Sequence, residues 1–221
     1  MSLNSDEVAQ YLLESPEFFE EHPDLLTRLV LPHPHGGRTI SITERQMIDL
    51  REKNKALAGK LGELIQFGED NDAISEKMHR LAVGLVAAST FQAVIHVLDF
   101  HLEEDFAVPH VALRLWDQPQ GVGELPEFAA VSEELQVFAE TLSRPYCGTT
   151  SGFETSTWFG EASPQIRSQA LIALQKGDGT FGMVALGSED PQRFYSDMGT
   201  LYLERLGELV SAAISRALRP A

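Results

Sequence analysis

The segment that most constrains this chain begins at Ser41. From there about forty residues pass without a proline, opened by the S-x-x-E pattern of Ser41 and Glu44 that caps a helix N-terminus. Within it Met47, Leu50, Asn54, Leu57, Leu61, Leu64, Gly68, Asn71, Ser75, Met78, Ala82 and Leu85 follow alternating steps of three and four residues, the a/d seam of a heptad repeat. Most of these positions are apolar. Asn54 is the residue type that fixes register and strand number at a cost in stability, which makes sense only against a facing helix. The pattern predicts a long helix over 41–88 that pairs with the same helix of a second chain through Met47, Leu50, Asn54, Leu57, Leu61 and Leu64. In "GEDNDAIS", residues 68–75, the seam turns polar, so the coil is expected to loosen into a hinge there while the apolar face drifts toward Ile65, Phe67, Ile74 and Leu81. The competing reading is an amphipathic helix folded against its own domain.

Charge restricts the partners. The 221 residues carry a net charge of -16, which divides into -6 over residues 1–88 and -10 over 89–221. Neither half suits nucleic acid or an anionic membrane. Arg45, Arg51, Lys53, Lys55 and Lys60 interrupt the acidic background, but Glu44, Asp49 and Glu52 are interleaved among them, which reads as a solvated helix surface. The one cysteine, Cys147, excludes an internal disulfide framework, and the first residues have no basic and apolar regions of an export signal. With no apolar run long enough to span a bilayer, a cytoplasmic protein is expected.

Ahead of the heptad segment, residues 1–40 read as two or three short helices. Ser5 is placed to cap the first, and Pro16 and Pro23 sit where a first helical turn tolerates proline. Tyr11, Leu12, Phe18, Phe19, Leu25, Leu26 and Leu29 would form a small apolar cluster, ended by a turn at "LPHPHGG". His22, His33 and His35 have no cysteine or acidic partner spaced to complete a metal site, so no metal is expected.

Residues 89–221 follow an α+β plan. Thr90 to Glu104 carries Phe91, Val94, Ile95, Leu98 and Leu102 at helical spacing, and "VPHVALRLW" follows as a strand. In it Val111, Leu113 and Leu115 face one way, and Arg114 and Trp116 face the other, toward solvent or a pocket. A helix near Glu133–Leu142, an irregular stretch through Arg167, a glycine-bearing segment and a closing helix with Leu203, Leu206, Val210, Ala213, Ile214 and Ala217 on one side complete the order.

The glycine segment contains "GDGTFG", which spells the G-x-G-x-x-G of dinucleotide sites. That fingerprint needs strand, glycine turn and helix, because the pyrophosphate rests on the helix N-terminus. Here "FGMVALG" reads as a strand. A kinase phosphate loop would fit strand-turn-strand but needs a lysine on the next strand, and no lysine follows Lys176. The segment is therefore expected to be a β-hairpin turn in which Gly177, Asp178 and Gly179 supply positive φ. Patterns for a serine hydrolase, a zinc protease and a Walker loop are also absent from the sequence.

The layout of amphipathic helix, strand, variable segments, "SQALIAL" strand, glycine hairpin and closing helix resembles a GAF domain, the small-molecule-sensing relative of the PAS fold. More narrowly, "YLLESPEFFEEHPDLL", "LPHPHGGRTISITERQ", "LREKN" and "RFYSDMGTLYLERLGELV" are similar to the bacterial family known as domain of unknown function 484. The resemblance spans nearly the whole chain. It implies a GAF/PAS-like domain at 89–221, with an antiparallel sheet and flanking helices, preceded by the long coiled-coil-like helix at 41–88 and a short helical segment at 1–40. It transfers no catalytic residue. Phytochrome-type GAF domains hold a bilin on a cysteine followed by histidine, whereas Cys147 is followed by Gly148, so a chromophore is not expected.

In such a domain Arg114, Trp116, Phe153, Trp158, Phe159 and Arg167 are candidates for the lining of a small-molecule pocket, with apolar walls and a cation for an anionic group. The alternative is that the aromatics are core and the arginines solvated. Cys147 is the single soft nucleophile and lacks an evident base, since His110 merely starts a strand. Three functions remain. The first is a non-enzymatic regulatory module, binding a small molecule, dimerising through the long helix and signalling to another protein. The second is a redox enzyme of the GAF type using Cys147, and the third a ligand-free dimerisation scaffold.

Overall fold

A computed structural model describes residues 4–28, 30–32, 39–116, 125–177 and 179–219, with side chains described for all of these except 26–28, 30–32, 39–41 and 43. The chain divides into two compact units, residues 1–70 and 71–221.

In the first unit, helices α1 (Ser5–Glu14), α2 (Phe18–Glu21) and α3 (Pro23–Arg28) precede two short paired strands, β1 (Val30–Pro32) and β2 (Thr39–Ser41). The strands were not expected from the sequence; of the turn expected at "LPHPHGG", residues 33–37 lie outside the described residues. The cap of α1 also differs from expectation. Asn4 is the N-cap, and its backbone N–H donates to Glu7 Oε2 at 3.1 Å, so Ser5 is the first helical residue. Part of the expected apolar cluster is formed, with Phe18 packed edge-on to Tyr11 and to Phe19 at ring separations of 5.9 and 5.6 Å. Leu29, His33 and His35 lie outside the described residues.

Helix α4 (Ile42–Ala87) starts directly after Ser41, where the capping pattern placed it, and runs unbroken through the boundary between the two units. From Arg51 to Asp70 every residue is exposed. From Ile74 onward the helix instead belongs to the core of the second unit, with Met78, Leu81, Leu85 and, just beyond it, Ala88 buried. The single seam expected from Met47 to Leu85 therefore needs correction. Its buried face moves from Ser75 and Ala82 to Ile74 and Leu81, the direction expected from the polar stretch. The physical reason lies in the side chains, since Ile74 and Leu81 offer the core large apolar groups where Ser75 and Ala82 offer a hydroxyl and a methyl. The core also explains why the units divide at 70/71, well before the 88/89 boundary expected from the sequence.

The second unit is built on a four-stranded sheet in the order β3 (His110–Leu115), β6 (Gly179–Ser188), β5 (Ser168–Lys176), β4 (Tyr146–Gly148), with every neighbouring pair antiparallel. Alternation along the strands separates two apolar layers. Leu113, Leu115, Ala170, Ile172, Leu174, Val184 and Leu186 join the end of α4, helix α5 (Phe91–Glu104) and helix α7 (Leu201–Ala217) on one face. Ala112, Leu171, Met183 and Ala185 meet helix α6 (Glu133–Thr141) and the 3-10 turns at Glu154–Thr157 and Gly160–Gln165 on the other.

Local sequence accounts for these elements. Thr90 caps α5 by accepting from the Ala93 N–H at 3.2 Å, and Phe91, Val94, Leu98 and Leu102 are its buried stripe. Helix α7 buries Leu206, Val210, Ala213 and Ile214, and Gly207 lets it approach the sheet, since a Cβ there would stand 2.6 Å from Ile172 Cγ2. Strands β5 and β6 form the expected hairpin, with Lys176 paired to Gly179 and Gly177 at φ +63°. Gly179 is not in the left-handed region, which corrects that part of the expectation: it already lies in β6, and pairing with Lys176 keeps it extended. Asp178 lies outside the described residues.

Candidate functional site

Five of the six residues proposed for a pocket converge on the α6 face of the sheet. Arg114 points from the C-terminal end of β3 and lays its guanidinium over the Trp158 ring, 5.1 Å from the centroid. Trp116 is fixed next to it by an Nε1–H donated to the Thr180 carbonyl at 2.7 Å. Phe159 packs over Gly187, where any Cβ would lie 3.0 Å from its ring. Phe153 meets Tyr146 and Phe138 at ring separations of 4.8 and 5.3 Å. Tyr146 and Phe138 were missed as members of this layer, although Phe138 lies on the predicted α6 and its helical position next to Leu135 and Ala139 could have revealed it.

Arg167 does not join them. It is exposed before β5, its N–H bonded to the Ser188 carbonyl, while Arg114 lies opposite Met183, five residues along β6 and about 16 Å away at strand spacing.

The turns that carry the aromatics are pinned by polar contacts. Fully buried Thr155 donates to Gln169 Oε1 at 2.8 Å, and Glu154 accepts from the Ser132 N–H at the start of α6. Arg114 is half-buried and donates to the Leu113 carbonyl at 2.8 Å, with no carboxylate within ion-pair distance among the described residues. Burial lowers its pKa, against the opposing fields of Glu127 and Glu154. Among the described residues its guanidinium thus has the Trp158 ring and the Leu113 carbonyl as its close partners.

Cys147 is placed elsewhere. It sits on β4 opposite Ala170, faces the core shared with α4 and α7, and is 6% exposed. Burial pushes its thiol up to about 11. His110 lies on β3 at the opposite edge of the sheet, three strand spacings or about 14 Å away, so it cannot serve as a base. Among the described residues no cluster of His, Cys, Asp or Glu could hold a metal ion.

Helix α7 supplies contacts that sequence reasoning did not find. At one end Tyr202 donates its hydroxyl to the Asn71 carbonyl at 3.1 Å and lies 3.0 Å from Ser75 Oγ. At the other, Arg216 donates to the carbonyls of Leu85, Val86 and Ala88 at 2.7, 3.2 and 2.6 Å. These are acceptors at the C-terminal end of α4, where the helix leaves carbonyls unpaired and its dipole favours a cation. The second-unit part of α4 is thus held by α7 at both ends. The opposite side of α7 lines a groove of about 440 Å³ with Arg144, Gln175, Glu204, Glu208 and Ser211.

The proposed dimer residues lie along one stripe of α4 in the first unit. Met47, Leu50, Leu57, Leu61 and Leu64 are 47%, 61%, 67%, 59% and 65% exposed, and Asn54 is exposed among them. Arg45 pairs with Asp49 one turn on at 3.3 Å, as a solvated helix surface would.

A family model described as "Protein of unknown function, DUF484" matches residues 1–218. The chain belongs to the DUF484 family. Curated relatives include "Uncharacterized protein YigA" of Salmonella typhimurium, 24% identical over 224 residues, covering 98% of this chain and 93% of that protein. The Escherichia coli K12 protein of the same description is 24% identical over 221 residues, covering 97% and 92%.

Among solved structures, the DUF484 chain is similar to the GAF domain of an Acinetobacter phosphoenolpyruvate-protein phosphotransferase, at 16% identity and TM-score 0.48, over 64% of this chain and 92% of that one. It is also similar to free methionine-R-sulfoxide reductase from Neisseria meningitidis in complex with its substrate, at 15% identity and TM-score 0.47, over 65% and 89%. No residue role follows from likeness at this level. Among the described residues no helix is long and apolar enough to cross a membrane.

Proposed function

We propose that the chain is a non-enzymatic regulatory module of the cytoplasm. Its second unit binds a small anionic molecule at Arg114, and α4 carries the bound state to a second copy of the chain and onward to a protein partner. The observation that carries this reading is the dual use of α4. One half offers an apolar stripe to a partner, and the other half is built into the core and held by Tyr202 and Arg216. Strand β3 supports the coupling, because it carries Arg114 on the aromatic face and Leu113 and Leu115 in the same core cluster as Met78, Leu81 and Leu85. A ligand that moved β3 would press on α4 through packed side chains, and interiors at crystal-like density transmit such shifts.

The redox alternative is disfavoured by the same geometry. A nucleophilic thiol needs exposure and a lowered pKa, and Cys147 has neither. The test is a thermal-shift screen of small carboxylates and phosphates against the wild type and Arg114→Gln, with native mass spectrometry of protein purified from its own host. The reading expects a retained small mass, or a compound that raises Tm in the wild type and not in the variant. Failure of both would reduce the protein to a ligand-free dimerisation scaffold.

A further inference from the structure

We propose that α4 pairs with α4 of a second copy in parallel and in register, so that Asn54 faces Asn54 of that copy. The inference rests on the dimer reading above and adds its orientation. The stripe places Met47, Asn54 and Leu61 at a positions and Leu50, Leu57 and Leu64 at d positions. In a parallel pair, a faces a. Each Asn54 amide then meets an identical amide that can donate and accept in return. In an antiparallel pair, a faces d, and Asn54 would be buried against leucine with its amide unsatisfied.

Flanking charges favour the same orientation. The g positions carry Lys53 and Lys60, and the e positions Arg51, Ala58 and Ile65. Parallel pairing sets each g residue beside the e residue five later on the other copy, which places Lys53 by Ala58 and Lys60 by Ile65. Antiparallel pairing centred on the same stripe sets g beside g, so Lys53 would oppose Lys60 twice.

The surface also has the matching relief. A shallow concavity of about 410 Å³ is bounded by Met47, Leu50, Arg51, Asn54 and Lys55. Its a, d, e and following a residues are the four that receive a d-position side chain in a parallel in-register pair, and the residue delivered there would be Leu50 of the second copy. No residue from Arg51 to Asp70 is buried within its own chain, so a helix that gains most of its stability from packing is left to find that packing elsewhere.

The test uses full-length chains with Cys147→Ser and one added cysteine, at Leu50, Leu61 or Leu64. Parallel register brings Leu50→Cys to within disulfide reach of its own copy, and Leu64→Cys likewise, so each alone should close to a covalent dimer under mild oxidation. Antiparallel pairing would separate the two copies of position 50 by about 16 Å along the axis and close only a mixture of Leu50→Cys with Leu61→Cys. Closure of that mixture alone, or of neither single variant in a chain that sediments as a dimer, overturns the orientation and leaves the dimer standing. A monomeric unsubstituted chain removes both. As a second readout, Asn54→Leu should produce species larger than a dimer, and an unchanged dimer would count against the Asn54 pair.

Discussion

Arg216→Ala probes the coupling between α7 and α4. The guanidinium gives three hydrogen bonds to carbonyls at the end of α4, at 2.6 to 3.2 Å. A hydrogen bond from a charged donor contributes about 1.5–3 kcal/mol when its partner is otherwise dry, and a cation at a helix C-terminus about 0.3–1 kcal/mol. Arg216 is exposed, so water can replace much of what is lost, and the three bonds share one side chain. The expected net destabilisation is about 1.5 kcal/mol, which corresponds to about 3–6 °C in Tm for a chain of this length. Urea unfolding at fixed protein concentration would measure it, with Arg216→Lys expected to recover about half, since an ammonium cannot fork between three carbonyls. Arg216→Ala lying within about 0.3 kcal/mol of the wild type would refute the idea that α7 holds α4 through this contact.

Further expectations concern single groups. Iodoacetamide should label Cys147 slowly at neutral pH and quickly only on unfolding; because the folded thiol is raised, its contribution to stability is full below about 9 and lost as pH rises toward about 11. Labelling with an apparent pKa below that of a free thiol would revive the redox enzyme. Gly177→Val should cost about 1–2 kcal/mol, since φ there is +63°, whereas Gly179→Ala, with open space and no left-handed strain, should cost much less; equal melting temperatures would contradict the turn geometry. Asp105 is held below the ordinary carboxylate range by Arg80 and then by His101, each at 2.6 Å. Its stabilisation is therefore present above about pH 4 and fades as pH falls through the lowered value, so the Tm gap between wild type and Asp105→Asn should close in acid; a gap independent of pH would exclude the ion pair as its source.

The parts of the fold that were legible in the sequence are those whose signal is local. The stripe Phe91, Val94, Leu98, Leu102 defined α5, and the alternation of Leu113 and Leu115 against Arg114 and Trp116 assigned both faces of β3. The hairpin followed from its glycines because a two-residue connection needs positive φ. Strand β4 was not legible. Its three residues follow Pro145 and end at Gly148, too short for any periodicity, and it exists only because β5 supplies an edge. A buried or idle Cys147 was the expected reading, but what covers it is non-local, since its cover comes from the core beneath the sheet. Arg216 and Tyr202 act on carbonyls more than a hundred residues away, which no spacing rule could reveal. In α4 the heptad pattern was visible on either side of the polar stretch at 68–75, and the shift toward Ile74 and Leu81 was anticipated, but that this face packs into the chain's own core became defined only where Met78 and Leu81 join it.

The central claim is that the exposed half of α4 is covered by a second copy, and sedimentation equilibrium of the full chain tests it directly. Burying a leucine side chain contributes about 1.5–3 kcal/mol, and Leu57 is still 67% exposed, so its two copies should contribute about 2–4 kcal/mol to the pair. At micromolar concentration the wild type should sediment at twice the 24.4 kDa chain mass, and Leu57→Glu should weaken the association by about 30-fold to 1,000-fold, toward the mass of one chain. A wild type that stays at 24.4 kDa across all concentrations, with Leu57→Glu indistinguishable from it, would contradict the account.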